Sequence, residues 1–279
     1  DVFAKASGLS QAPLDDLLVF HTVFGKTVPD ISLNAVANLG YGEGRWLKPV
    51  TSGATLTSSS EVIGVKENSS GKTGVVWVRT TGHDQTGAPV LEYVRWVMVR
   101  KRDHDAKAPE ALIPELADHV PAEALVIPKG LNFTDYDIAL AGEPHRACDY
   151  AKGEIIDHVD RVTLSEAEHM MATRAWQNTA KVHFDATARD DGKRLIYGGH
   201  IISMARAMSF NGLANAQMVV GLNAGSHAAP AFAGDTIAAW SEVLVIAEVD
   251  APDVAAIRLR TVAYRPDTAE VGALKDADG

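Results

Sequence analysis

The sequence matches itself at a fixed spacing. Trp46-Leu47-Lys48-Pro49-Val50-Thr51-Ser52-Gly53-Ala54-Thr55-Leu56 and His227-Ala228-Ala229-Pro230-Ala231-Phe232-Ala233-Gly234-Asp235-Thr236-Ile237 share Pro, Gly and Thr at a constant offset of 181 (230 minus 49). At that offset Ser60-Glu61-Val62 meets Ser241-Glu242-Val243, and Asn34-Ala35 meets Asn215-Ala216. Matched Pro and Gly carry most of the information, since each fixes backbone geometry at a turn entering a strand. The chain therefore reads as one structural unit used twice.

The hydrophobic pattern agrees. Leu17, Leu18, Phe20 and Phe24 recur at helical spacing within Leu14 to Val28, and Pro29 ends the run. The counterpart helix is Ile201 to Leu213, carrying Ile202, Met204, Ala205, Met208 and Phe210. Three β-type stretches follow each helix: 36–46, 55–66 and 73–81 in the first half, 217–225, 236–248 and 254–264 in the second. The first half adds a long alternating strand, Val90 to Arg100. A helix followed by antiparallel strands, twice over, predicts an α+β fold with two units side by side in an extended sheet.

Between the units, Asp103 to Asp149 contains Pro109, Pro114, Pro121, Pro128 and Pro144. That spacing forbids a long helix or strand and predicts a linker wrapping the surface. The expected boundaries are a first unit at 1–102, the linker at 103–149, a second unit at 150–266 and a tail at 267–279. The second unit has about fifty residues, Tyr150 to Tyr197, ahead of its helix, where the first has about a dozen. The first unit is expected to lack its opening segment.

Charge and cysteine content narrow the function. With 36 acidic and 26 basic residues the net charge is −10, which disfavours nucleic acid or anionic membranes as partners. No apolar run reaches the length of a bilayer span. The single cysteine, Cys148, excludes an internal disulfide and a thiolate zinc cluster, and fits a reducing cytoplasmic compartment. Ten histidines show no metal-ligand spacing, so no metal is expected. At 46% hydrophobic residues there is ample material for a core.

The strongest chemical signal lies ahead of the second helix, in Trp176-Gln177-Asn178-Thr179-Ala180-Lys181-Val182-His183-Phe184-Asp185 and Leu195-Ile196-Tyr197-Gly198-Gly199-His200-Ile201-Ile202. A Gly-Gly pair at a helix start lets a ligand approach the backbone. Free N–H groups and the positive end of the helix dipole then meet any oxygen placed there. A thioester carbonyl suits that position, and developing oxyanion charge would be stabilised.

Asn178 through Asp185 resembles the hydratase signature of the MaoC-like, hot-dog-fold enoyl-CoA hydratases, in which an Asp, four residues and a His precede a Gly-containing helix start. The resemblance spans essentially the whole chain, because these proteins often carry tandem hot-dog units, one active and one degenerate. It extends to Phe24-Gly25-Lys26-Thr27-Val28-Pro29-Asp30-Ile31-Ser32-Leu33-Asn34-Ala35, which is similar to the members acting on mesaconyl-CoA. The resemblance implies a double hot-dog fold and reversible syn addition of water to a CoA thioester. It implies no metal or redox cofactor, the CoA being part of the substrate. It also implies a homodimer by analogy.

In that pattern His183 is the general base and acid. The thioester oxygen would accept from the N–H of Gly199 or His200, and Gly198 would line the acyl site. Position 178 departs from the pattern, since an amide cannot exchange a proton as a carboxylate does. Asn178 is therefore expected to position the water, with His183 acting alone or with help from Asp185 or the substrate's own carboxylate.

A dicarboxylic acyl group would need a cation. Arg174, Lys181 and Arg206 are the candidates, an Arg being best suited by its bidentate fork. Arg258, Arg260 and Arg265 are candidates for the CoA phosphates. Trp77, Trp96 and Trp240 are expected in the core. Asp15-Asp16, near the start of the first helix, would repel an acyl oxygen, so the first unit is expected to be inactive. Two rival functions share these residues: thioester hydrolysis, and binding of acyl-CoA without catalysis.

Overall fold

The computed structural model describes residues 2–274; the final five residues of the expected tail lie outside the described residues. A short helix α1 (Val2–Ala6) precedes α2 (Asp16–Thr27) and four strands, β1 (Ala35–Trp46), β2 (Thr57–Glu67), β3 (Thr73–His83) and β4 (Pro89–Arg100). The linker holds one short α-helix, α3 (Ile138–Ala141), two 3-10 turns, Ala122–Ala124 and Ala147–Asp149, and a single bridge, Leu112 to Val65. Next come β5 (Ile155–Thr163), α4 (Glu166–Ala175), α5 (Lys181–Phe184), α6 (Gly198–Met208), α7 (Phe210–Leu213), β6 (Gly221–Leu222), β7 (Thr236–Glu248) and β8 (Ala255–Tyr264). All the strand pairings are antiparallel.

Helix α2 is buried on nearly every side: Leu17, Val19, Phe20, His21, Val23 and Phe24 are all shielded. A helix apolar all round belongs inside a core rather than on a surface. Asp15 starts it by accepting from the Leu18 N–H at 3.0 Å. Strands β2, β3 and β4 wrap it, and at Gly82 a Cβ would lie 2.6 Å from a methyl of Val23. Helix α6 packs in the same way on β5, β7 and β8. Two central helices, each held in a curved antiparallel sheet, make a double hot-dog fold.

The structure corrects several boundaries. The strands do not form one extended sheet but a five-stranded sheet, β2-β3-β4-β1-β6, and a three-stranded sheet, β5-β7-β8. The expected strand at 217–225 contracts to β6, paired with β1 through Gly44–Leu222 and Arg45–Gly221. One reason is a partner distant in sequence: the Val219 N–H donates to the Asp16 carboxylate at 2.8 Å instead of to a ladder carbonyl. Pro29 does not end the first helical segment, since a π-turn, Val28–Ser32, follows α2 with Pro29 near its start, where its missing N–H is harmless. The second helix starts at Gly198 rather than Ile201 and breaks after Met208, where Gly212 takes a φ of 91°. Of the three tryptophans expected inside, Trp240 is fully buried, whereas Trp77 and Trp96 face each other across β3 and β4 half-buried. No helix among the described residues is long and apolar enough to cross a membrane.

Besides the β1–β6 pairing, side chains of α2 tie the units together. His21 reaches Ser203 Oγ at 2.7 Å and Tyr197 Oη at 3.3 Å, joining α2 to α6, and burial drives its pKa down to about 3. Asp16 makes another link, and burial raises its carboxyl to about 6. A carboxyl raised in the folded state binds protons that the unfolded chain has already lost. The Asp16 contribution to stability therefore falls as pH rises from about 4 to about 6. Asp16→Asn, which keeps an acceptor for Val219, should melt at a progressively higher temperature relative to the parent over that range. A constant difference between the two melting curves would disprove the linkage.

Candidate active site

The signature segment is shaped by what packs on it. Ser165 caps α4, and Gln177 leaves it with a φ of 57°, a left-handed turn that drops the chain into Asn178. Gly25 of α2 lies beneath: a Cβ there would sit 1.7 Å from the Trp176 carbonyl oxygen. The first unit thus presses directly on the second unit's signature. Trp176 also stacks on His21, with ring centres 4.2 Å apart.

Asn178 is 2% exposed; its N–H donates to the Thr173 carbonyl at 3.0 Å and its Oδ1 accepts from the Ala180 N–H at 3.2 Å. The oxygen serves the turn, which leaves the amide NH₂ as the group to meet a ligand. Helix α5 then presents His183, whose Nδ1 lies 2.7 Å from the Leu195 carbonyl oxygen. A carbonyl only accepts, so the proton sits on Nδ1 and Nε2 keeps its lone pair. Desolvation lowers the His183 pKa, with the Leu195 bond opposing, so the ring is neutral at pH 7.

Facing it is the start of α6. The Tyr197 N–H donates to His169 Nε2 at 2.9 Å, and burial lowers the His169 pKa to about 4. The Tyr197 ring lies 5.7 Å from the His183 ring and folds back over Gly199, where a Cβ would meet its Cζ at 2.4 Å. The His200 N–H is already donated to the Tyr197 carbonyl at 2.8 Å. Of the two expected oxyanion donors, Gly199 is therefore the one whose N–H is not so engaged, although Gly199 is itself buried and Gly198 is the member of the pair that lines the cavity. The His200 ring is 1% exposed, packed 5.8 Å from His169 and off the cavity wall.

Asn178, Lys181, His183, Tyr197, Gly198 and Arg206 all line one cavity of about 2350 Å³. Lys181 is exposed at its edge. Arg206 donates to Ser209 Oγ at 2.9 Å and to the Ala216 carbonyl, and feels the charges of Asp15 and Asp16. Arg174 is exposed and outside the cavity lining. Asp185 turns outward, its Oδ1 accepting from Thr187 N at 2.9 Å and Oγ1 at 2.6 Å. Arg258, Arg260 and Arg265 line a further stretch of the wall; Arg260 pairs with Glu242 and Arg265 with Asp235.

One residue at the site escaped the sequence reading. His227 lies over Gly198, where a Cβ would come within 2.2 Å of its Cε1, and its charge is felt at His183. The repeat held the signal. His227 stands at the offset of Trp46, whose indole N–H donates to the Asp16 carbonyl at the first residue of α2. Both positions pack on the start of their central helix, one with an apolar ring and one with an imidazole.

The chain matches the mesaconyl-CoA hydratase family over residues 2–274. It belongs to that family. The mesaconyl-CoA hydratase of Cereibacter sphaeroides is 69% identical over 268 residues, covering 96% of this chain and 78% of that protein. The beta-methylmalyl-CoA dehydratase of Chloroflexus aurantiacus is 53% identical over 281 residues, covering 99% and 80%. The crystal structure of a MaoC domain protein from Chloroflexus aurantiacus superposes with a TM-score of 0.93 at 54% identity, covering 95% of this chain and 77% of that one. A Mycobacterium tuberculosis protein with a double hot-dog fold superposes at 0.75 with 25% identity, covering 98% and 81%. The members of this family are hydro-lyases by name, and the site has the parts such chemistry needs: an unprotonated imidazole nitrogen facing an amide-bearing helix tip.

Proposed function

We propose that the chain catalyses reversible hydration of mesaconyl-CoA to β-methylmalyl-CoA. The observation that carries this reading is the His183 tautomer, fixed by Leu195, with His183 on the wall of the cavity that reaches Gly198 at the start of α6. The thioester oxygen accepts from the Gly199 N–H, which draws charge from the double bond. Water lies between the Asn178 amide and His183 Nε2. As its oxygen bonds to the β-carbon, His183 takes its proton and the thioester becomes an enolate. The imidazolium then returns that proton to the α-carbon on the same face, so one base completes a syn addition. Dehydration runs the same steps backwards. His227, over Gly198, supplies a second imidazole beside the thioester.

Asn178 holds water without carrying its proton. Asn178→Ala should lower kcat about 10- to 100-fold, the worth of one hydrogen bond to a reacting group, and leave the shape of the pH profile intact. Unchanged turnover in this variant would remove Asn178 from the mechanism.

The test of the function itself is direct. Mixing protein with mesaconyl-CoA should erase the enoyl-thioester absorbance without releasing free thiol. Thiol release would mean hydrolysis, and no change would mean binding alone. The reading extends to a homodimer, by analogy with the paired sheets of hot-dog proteins, and to the cytoplasm, where the exposed free thiol of Cys148 would persist.

A further inference from the structure

Arg95 on β4 has no exposed surface, and every partner it has is uncharged. Nη1 donates to Ser32 Oγ at 2.9 Å and Nη2 to Thr27 Oγ1 at 2.9 Å, while Nε has no partner. Its Cζ lies 4.4 Å over the Phe24 ring. None of the ion pairs among the described residues includes it. A chain with ten excess negative charges has no shortage of carboxylates to offer. A buried guanidinium without one is costly, and such a site retains it most readily where a ligand brings the missing anion.

Its position supports that. Arg95 lines the same cavity as His183. The Phe24 ring beneath it lies 5.4 Å from the Tyr197 ring, the ring that folds over Gly199. Arg95 also acts electrostatically on the Tyr197 hydroxyl. Directly across the strand pair is Tyr41, also on the cavity wall, whose hydroxyl is buried beside that of Tyr197. Ser32 closes the π-turn after α2, an irregularity that often accompanies functional positions.

We infer that Arg95, assisted by the Tyr41 hydroxyl, is the subsite for the free carboxylate of a dicarboxylic CoA thioester. The Nε–H and a remaining Nη N–H form the side-on fork that a carboxylate accepts bidentately. Screened from water, the pair is strong, and a neutral enoyl thioester leaves the guanidinium unpaired. The first unit thereby selects the substrate that the second unit hydrates. This inference rests on the hydratase reading above.

The test compares mesaconyl-CoA with crotonyl-CoA, which has an enoyl thioester but no second carboxylate. Arg95→Met should cut kcat/KM for mesaconyl-CoA by about 100-fold or more and change that for crotonyl-CoA by less than about 3-fold. A parallel loss on both substrates would make Arg95 a structural brace and overturn the inference, as would no loss on either.

Should Arg95→Met not fold, binding of the saturated thioesters methylsuccinyl-CoA and butyryl-CoA decides. The parent protein should prefer the dicarboxylic ligand by at least about 50-fold, and Arg95→Lys should reduce that preference severalfold. Equal affinities in the parent protein, or a preference untouched in Arg95→Lys, would overturn it. A parent protein that hydrates neither enoyl thioester defeats the hydratase reading, a result distinct from a hydratase that ignores the carboxylate.

Discussion

His183→Ala should lower kcat by about 10³- to 10⁴-fold, the upper range for losing a group that both takes and returns the reacting proton. Among the described residues its ring hydrogen-bonds only to the Leu195 carbonyl, and it is half-buried at the cavity, so the variant should fold and still bind thioester. Binding of a saturated acyl-CoA, measured alongside turnover, separates the two effects. The parent enzyme's pH profile adds a sign. His183 must be neutral to accept a proton, and desolvation holds its pKa below the ordinary imidazole value. Activity should therefore fall on the acid side, with a midpoint lower than that of a free imidazole. A variant retaining a tenth of parental turnover would show that another group does the proton transfer.

Gly199→Ala keeps the backbone N–H but should displace it, costing about 10²- to 10³-fold in kcat, as when a preorganised oxyanion donor is lost. The new Cβ would lie 2.4 Å from Tyr197 Cζ. Tyr197 is 4% exposed and wedged among Phe24, His21 and Trp176, so it cannot swing aside and the helix tip must move. The melting temperature should fall as well. Gly198→Ala makes an informative control, because the atoms nearest its Cβ would be those of the exposed His227 ring, which can turn away. Gly198→Ala should thus melt close to the parent. Equal melting losses in the two variants would mean that the Tyr197 wedge is not what fixes the tip.

Much of the architecture was legible because it rests on local chemistry. The repeat exposed the two units, the apolar spacing of Leu17, Phe20 and Phe24 exposed α2, and the alternation in β4 exposed a strand. The extended sheet was misread because strand pairing is decided by partners distant in sequence. Nothing within 217–225 shows that Asp16 takes the Val219 N–H. The π-turn after Thr27 was hidden in the same way, since its hydroxyls answer to Arg95 sixty-three and more residues away.

The site divides along the same line. The bond from His183 to Leu195 spans twelve residues, and both belong to segments that stood out on the page of the sequence. His227, thirty residues beyond Tyr197, needed the repeat to be read at the level of single positions. Arg95 is one strand cation among Arg79, Arg100 and Lys101, and nothing in the sequence singles it out. Only burial distinguishes it: Arg79 pairs with Glu43 and Lys101 with Glu67, whereas Arg95 pairs with hydroxyls.

A structure with β-methylmalyl-CoA bound tests the arrangement most directly. The product hydroxyl should lie within about 3 Å of His183 Nε2, and the thioester oxygen within about 3 Å of the Gly199 N–H. A product whose hydroxyl points away from His183, or whose thioester oxygen rests on any group other than the α6 tip, would contradict the account.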